Sequence, residues 1–131
     1  MYNLQDTTNK QNPINNNHKT FNLEIRTLEF SKSVMFFIKS LKSDFRVEPI
    51  INQLIRSSTS IGANYCEAND SLGKKDFLQR LRISRRECKE TIYWLEILKS
   101  YYLGLETLDP LIIEATQIRN ILSKIILNAS V

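Results

Sequence analysis

Histidine is almost absent from this 131-residue chain, whose one histidine is His18. Imidazole is the usual base in nucleophilic catalysis and the commonest protein ligand of transition metals. Because the chain beyond residue 20 contains none, we expect no Ser-His or Cys-His catalytic pair, no bound metal and no cofactor. The sequence therefore predicts a protein that is not an enzyme.

Glycine and proline are also scarce, with three of each. An all-β domain with many tight turns needs more of both, whereas long helices need fewer. The two cysteines, Cys66 and Cys88, have neither CxxC nor disulfide-framework spacing, so we expect reduced thiols in a cytoplasmic protein. No apolar run reaches eighteen residues, and the first twenty residues lack a signal-peptide pattern, so no membrane association is predicted.

Hydrophobic periodicity predicts four helices in one folded domain. Residues 1–20 are rich in asparagine and poor in apolar residues, so we expect a disordered tail before a domain that spans 21–131. Pro49 and Asp109-Pro110 are typical helix starts, with Asp109 as the N-cap. The helices are expected over about 23–43, 49–69, 74–102 and 110–128. Short connections between them predict an antiparallel, up-down-up-down four-helix bundle.

An apolar stripe along each predicted helix identifies the expected core. In the first helix, Leu28, Met35 and Ile38 are expected to widen a stripe that includes Phe30. The fourth helix is apolar over an arc wider than one partner requires, which fits either an oligomer interface or a central helix of a monomeric bundle. The third helix alternates steps of four and three for more than three heptads: Phe77, Leu81, Ser84, Cys88, Thr91, Leu95, Leu98 and Tyr102.

Positive charge is concentrated in the third predicted helix. Residues 74–90 carry seven Lys or Arg and three Asp or Glu, and their net +4 equals that of the whole chain. This surface can bind phosphates, or it is a solvated face with intrahelical ion pairs, for which Arg86 and Glu90 have the spacing. We expect no aromatic residues among the charges, so base stacking is not predicted. Five cations share one face away from the apolar stripe: Lys75, Arg82, Arg85, Arg86 and Lys89.

The middle of the second predicted helix, residues 57–63, consists almost entirely of small residues. Glycine and serine are weak helix formers, so packing against other helices must hold this segment helical. Asn64 and Glu67 lie beside it at helical spacing. With Ser60, we predict that they form a structural motif that hydrogen-bonds across a helix contact; exposure on the surface is the alternative.

Two blocks of residues resemble one known family. The segment Arg56–Ala68, RSSTSIGANYCEA, is similar to the central signature of a family of four-helix-bundle proteins. That family includes proteins encoded in intervening sequences of bacterial large-subunit ribosomal RNA genes, and accessory variability proteins of diversity-generating retroelements. The likeness covers about residues 21–128, although the chain lacks an early tryptophan and has Ala68-Asn69 where many members have glycine. The second block resembles the family's third helix: Lys74-Lys75-Asp76-Phe77, Ile83-Ser84, Arg86-Glu87, Glu90-Thr91 and Tyr93-Trp94-Leu95.

This resemblance implies an antiparallel four-helix bundle that assembles into a homopentamer. For the retroelement branch it also implies a basic surface that binds RNA or DNA and a reverse transcriptase, and by position the five basic residues of the third helix form that surface. Two functions follow: a non-enzymatic oligomer that binds RNA, or an adaptor that recruits a protein such as a reverse transcriptase without contacting nucleic acid. Phosphate binding should weaken steeply with salt, whereas apolar recruitment should tolerate it.

Overall fold

The computed structural model describes residues 17–42 and 44–131, and all regular structure in these residues is helical. Four long helices share one hydrophobic core. This confirms the all-α class and the four helices, while residues 1–16 of the predicted tail lie outside the described residues. The helices are α1 (Asn17–Ser40), α2 (Glu48–Asn69), α3 (Lys74–Tyr101) and α4 (Asp109–Ala129), and short 3₁₀ turns at Phe45–Val47 and Glu106–Leu108 precede α2 and α4.

Helix α1 differs most from its predicted bounds, because it begins six residues earlier and ends three residues earlier than expected. Its end tightens, with the Leu41 amide donating to the Ile38 carbonyl at 3.1 Å. The chain then turns at Asp44, whose carboxylate accepts the Arg46 amide at 3.0 Å. The other three helices begin and end within one residue of prediction.

The predicted N-cap of α4 is wrong. Asp109 already has helical dihedral angles, φ −59° and ψ −44°, because the preceding 3₁₀ turn leads directly into the helix. The buried Leu108 occupies the cap position and provides no side-chain hydrogen bond. The Asp109 carboxylate instead pairs with the Lys99 ammonium at 2.7 Å, which ties the start of α4 to the end of α3.

The core contains most of the predicted apolar stripes. On α3, every stripe residue from Leu81 to Leu98 is fully buried, and Phe77 and Tyr102 pack at its ends. On α1, however, Leu28 and Met35 are 48% and 44% exposed, so the prediction that they widen the stripe is wrong. Helix α1 contacts its neighbours less extensively than α3 does, so they cover a narrower arc of its surface.

The small-residue segment of α2 is in close contact with both α1 and α3. Gly62 lies against Thr27 of α1, and a Cβ atom on this glycine would come within 2.8 Å of the Thr27 hydroxyl oxygen. On the other side, Ser84 of α3 donates to the Ile61 carbonyl at 2.7 Å. Thr91 donates to the Ser57 hydroxyl at 2.9 Å. Packing therefore holds this segment helical, as predicted.

Candidate nucleic-acid interface

Helix α3 presents the predicted basic residues on the side opposite its buried stripe. We call Lys75, Arg82, Arg85, Arg86 and Lys89 the basic face. Four of the five side chains are exposed, and Arg85 is half-buried, where its guanidinium donates to the Ser123 hydroxyl of α4 at 3.4 Å. At 1.5 Å per residue, the distance from Lys75 to Lys89 along the helix axis is about 21 Å. The basic face is therefore a row of cations on a continuous helix.

Two acidic residues of α3 beside the basic face, Glu87 and Glu90, are bound by another helix. Arg56 of α2 donates to the Glu87 carboxylate at 3.0 Å and also pairs with Glu90. The indole N–H of Trp94 donates to the same Glu90 at 3.1 Å. The intrahelical pair for which Arg86 and Glu90 have the spacing does not form, because Arg56 approaches Glu90 from α2. We refer to Arg56, Glu87 and Glu90 as the acidic clamp.

The basic face consequently keeps its charge. Ion pairs in residues 17–42 and 44–131 join other groups, such as Arg26 with Glu114 at 2.7 Å, and none of them includes a residue of the basic face. The arrangement thus differs from a solvated face whose charges cancel through intrahelical pairs. It leaves four exposed cations on one helix, Lys75, Arg82, Arg86 and Lys89, available to an anionic partner.

The predicted structural motif on α2 forms only in part. Asn64 donates to the Ser60 carbonyl at 2.9 Å and accepts from the Arg80 guanidinium of α3 at 3.3 Å, so it does hydrogen-bond across the helix contact. The Ser60 hydroxyl donates to the Arg56 carbonyl in its own helix at 2.7 Å. Glu67 is exposed, and its expected place in a buried network is wrong because this position faces solvent.

An aromatic residue, Tyr93, lies in line with the basic face, beyond the charged segment 74–90 to which the prediction of no interleaved aromatics applies. Tyr93 is 60% exposed and follows Lys75 by eighteen residues, which is five full helical turns. Its ring packs edge-to-face on Trp94, with 5.1 Å between ring centroids and 75° between planes. Counting in turns beyond residue 90 would have found it, because Lys89 and Tyr93 are separated by four residues.

The thiols are unsuited to nucleophilic chemistry. Cys88 is fully buried, and burial raises the pKa of its thiol to about 12. Burial also raises the pKa of the half-buried Cys66 thiol. In the described part of the chain, no three His, Cys, Asp or Glu side chains gather where a metal could bind. The described helices likewise include none that could cross a membrane.

A second surface feature is an apolar groove of about 460 Å³ between α1 and α2. The exposed Leu28 of α1 lies along it, together with Ala63 and Cys66 of α2. Few polar atoms line this groove, and none of the five predicted nucleic-acid-binding residues belongs to it. The basic face and the apolar groove are therefore separate surfaces.

The chain is similar to a known protein family over most of its length. Residues 21–124 match the family model described as 23S rRNA-intervening sequence protein. A crystal structure of a protein with unknown function from the S23 ribosomal protein family, from Bacteroides thetaiotaomicron VPI-5482, is 32% identical and has a TM-score of 0.70. The match covers 82% of this chain and 97% of that one. No curated protein matches the chain.

Proposed function

Because the chain belongs to the 23S rRNA-intervening sequence protein family, we propose that it is a non-enzymatic protein that binds RNA through its basic face. The observation that carries this proposal is the uncompensated charge of α3. Arg56 binds both Glu87 and Glu90, so these two carboxylates beside the basic face are already paired with a cation. The exposed cations are then free to contact phosphates and to release the counterions that surround them. Two reduced thiols suit a cytoplasmic site of action.

The binding we propose is electrostatic and has little sequence preference. Phosphate contacts position a protein on nucleic acid but do not read its sequence. If all five cations of the basic face contact phosphates, the logarithm of the affinity should fall against the logarithm of salt concentration with a slope of about −3.5 on single strands. On duplex DNA the corresponding slope is about −4.5.

The test is binding of the purified chain to a labelled structured RNA across a salt series. The triple variant Arg82→Glu, Arg86→Glu and Lys89→Glu should abolish binding at low salt, because it replaces three exposed cations with anions. The matched control carries Lys39→Glu, Lys42→Glu and Lys124→Glu, which change the net charge equally at exposed positions outside the basic face. An equal loss of RNA binding in both variants would show that net charge alone, and not the basic face, causes the loss. An RNA affinity that does not change with salt concentration would refute the proposal.

A second candidate function is that of an adaptor that recruits a protein, such as a reverse transcriptase, without contacting nucleic acid. The apolar groove between α1 and α2 favours it, because Leu28 is 48% exposed along a surface that offers few polar atoms. Leu28→Glu should then prevent recruitment and leave RNA binding unchanged. Recruitment through apolar contacts would persist at high salt, whereas RNA binding through the basic face would not.

We also propose that the four helices form an antiparallel, up-down-up-down bundle and that five copies assemble into a homopentamer. Short connections between consecutive helices support the bundle. Ile113 and Leu127 of α4, which are 57% and 67% exposed, support the assembly because they leave apolar surface for another copy. Light scattering should give five times the 15.3 kDa mass of one chain, and the mass of a single chain would refute the assembly.

A further inference from the structure

Tyr93 continues the row of side chains that makes up the basic face. It lies one turn beyond Lys89 and two turns beyond Arg86 on the same side of α3. Its 60% exposure shows that the ring points away from the core, unlike the neighbouring Thr91 and Leu95, which are fully buried. A nucleic-acid strand that follows the cations along α3 would therefore meet an aromatic ring after Lys89.

The Tyr93 ring is held by the residues around it. It packs edge-to-face on Trp94 with 5.1 Å between ring centroids, and Trp94 is fixed in turn by its 3.1 Å hydrogen bond to Glu90. Glu90 is paired with Arg56 of α2. The contacts that Tyr93 makes within the described residues do not include a hydrogen bond from its hydroxyl. The ring, rather than the hydroxyl, is thus the part of this side chain that the fold positions.

We propose that Tyr93 stacks on an unpaired base, so that the basic face binds single-stranded or looped RNA in preference to a continuous duplex. This inference rests on the proposed RNA binding and names the class of RNA. Bases within a duplex are stacked on one another and offer no free face, whereas an unpaired base can stack on an aromatic side chain. Glu96, exposed three residues after Tyr93, ends the row with a negative charge, so the stacked base lies at the end of the phosphate contacts.

The experiment compares a single-stranded RNA of about 16 nucleotides with the same strand annealed to its complement. Tyr93→Ala should weaken binding to the single strand by roughly 5- to 150-fold, the range of one lost base stack, and leave duplex binding unchanged. The salt slope should stay the same, because no cation is removed. Tyr93→Phe should bind like the native chain, since the hydroxyl is not used.

Two further variants separate stacking from folding. Tyr93→Leu keeps an apolar side chain against Trp94 but has no aromatic face, so it should bind the single strand as weakly as Tyr93→Ala. Phe36→Ala removes a 76% exposed aromatic ring on α1, away from the basic face, and should change nothing. A 2-aminopurine base in the single strand should lose fluorescence on binding the native chain and keep it with Tyr93→Leu.

Equal affinities of the native and Tyr93→Ala chains for the single strand would overturn the stacking proposal. So would an equal loss on both RNAs. In either case, continued sensitivity to the triple charge reversal would leave the proposed RNA binding intact. If the native chain binds neither RNA at low salt, both proposals fall together.

Discussion

The contact between Gly62 and Thr27 sets how closely α1 approaches α2, so we predict that Gly62→Ala destabilises the fold. The added Cβ would lie 2.8 Å from the Thr27 hydroxyl oxygen and 3.1 Å from its Cβ. Thr27 cannot turn aside easily, because it is β-branched and fully buried. Its hydroxyl also donates to the carbonyls of Leu23 at 2.8 Å and Glu24 at 3.0 Å.

The expected magnitude is a difference between two opposing effects. Overpacking a well-packed core by one methyl group costs about 1–3 kcal/mol, and the stiffness of Thr27 places this site in the upper part of that range. Alanine in a helix interior is favoured over glycine by about 1 kcal/mol. We therefore expect Gly62→Ala to lower the free energy of unfolding by about 1–2 kcal/mol.

Urea denaturation followed by circular dichroism measures this change. Gly73→Ser is the control, because a Cβ at Gly73 meets nothing within 4 Å and serine is a good N-cap for α3, so its stability should be unchanged or slightly higher. In a Thr27→Ala background, the cost of Gly62→Ala should shrink, since the crowding atoms are gone. An increase in stability of about 1 kcal/mol for Gly62→Ala alone would mean that helix propensity decides this site and would refute the reasoning.

Two further predictions concern the acidic clamp and the thiols. Arg56→Met should reduce the salt slope of RNA binding by about one phosphate contact, because Glu87 and Glu90 become free to pair with the basic face. Adding Glu87→Gln and Glu90→Gln to this variant should restore the slope. A slope that Arg56→Met does not alter would contradict the role of the acidic clamp. Ellman's reagent at pH 8 should leave Cys88 unmodified until urea unfolds the chain, because burial raises the pKa of this thiol from 9.0 to about 12. Since the pKa of Cys88 is higher in the folded than in the unfolded chain, the contribution of this thiol to the free energy of unfolding should be fully present below pH 9. It should fall toward pH 12 by up to about 1.4 kcal/mol per pH unit. Cys88→Ala should make this fall less steep.

The sequence predicted what depends on local periodicity. The stripe from Leu81 to Leu98 is buried as expected, because a four-three alternation over several heptads can face a core in only one way. The bounds of α2 and α3 followed from Pro49 and from the turn residues before Lys74. By contrast, the exposure of Leu28 and Met35 depends on how much of α1 its neighbours cover, which the pattern of one helix does not contain.

The charges of the candidate site were predictable only in part. The five cations of the basic face were identified by position, and the structure places four of them in solvent. The partner of Glu90 was not predicted, because Arg56 is 34 residues away in sequence and on another helix. Tyr93 was not predicted for a different reason: it lies beyond the charged segment 74–90, although its five-turn separation from Lys75 is visible in the sequence.

The buried hydroxyls of α3 also fix how far this helix can slide along α2. Ser84 and Thr91 lie two turns apart, and each donates to one acceptor on α2, the Ile61 carbonyl and the Ser57 hydroxyl. A slide by one turn, about 5.4 Å, would separate both donors from their acceptors and cost about 1–3 kcal/mol for each group left unsatisfied. The two hydrogen bonds thus determine the axial position of α3 relative to α2. Because Arg56 precedes Ser57, the same register brings its guanidinium level with Glu87 and Glu90.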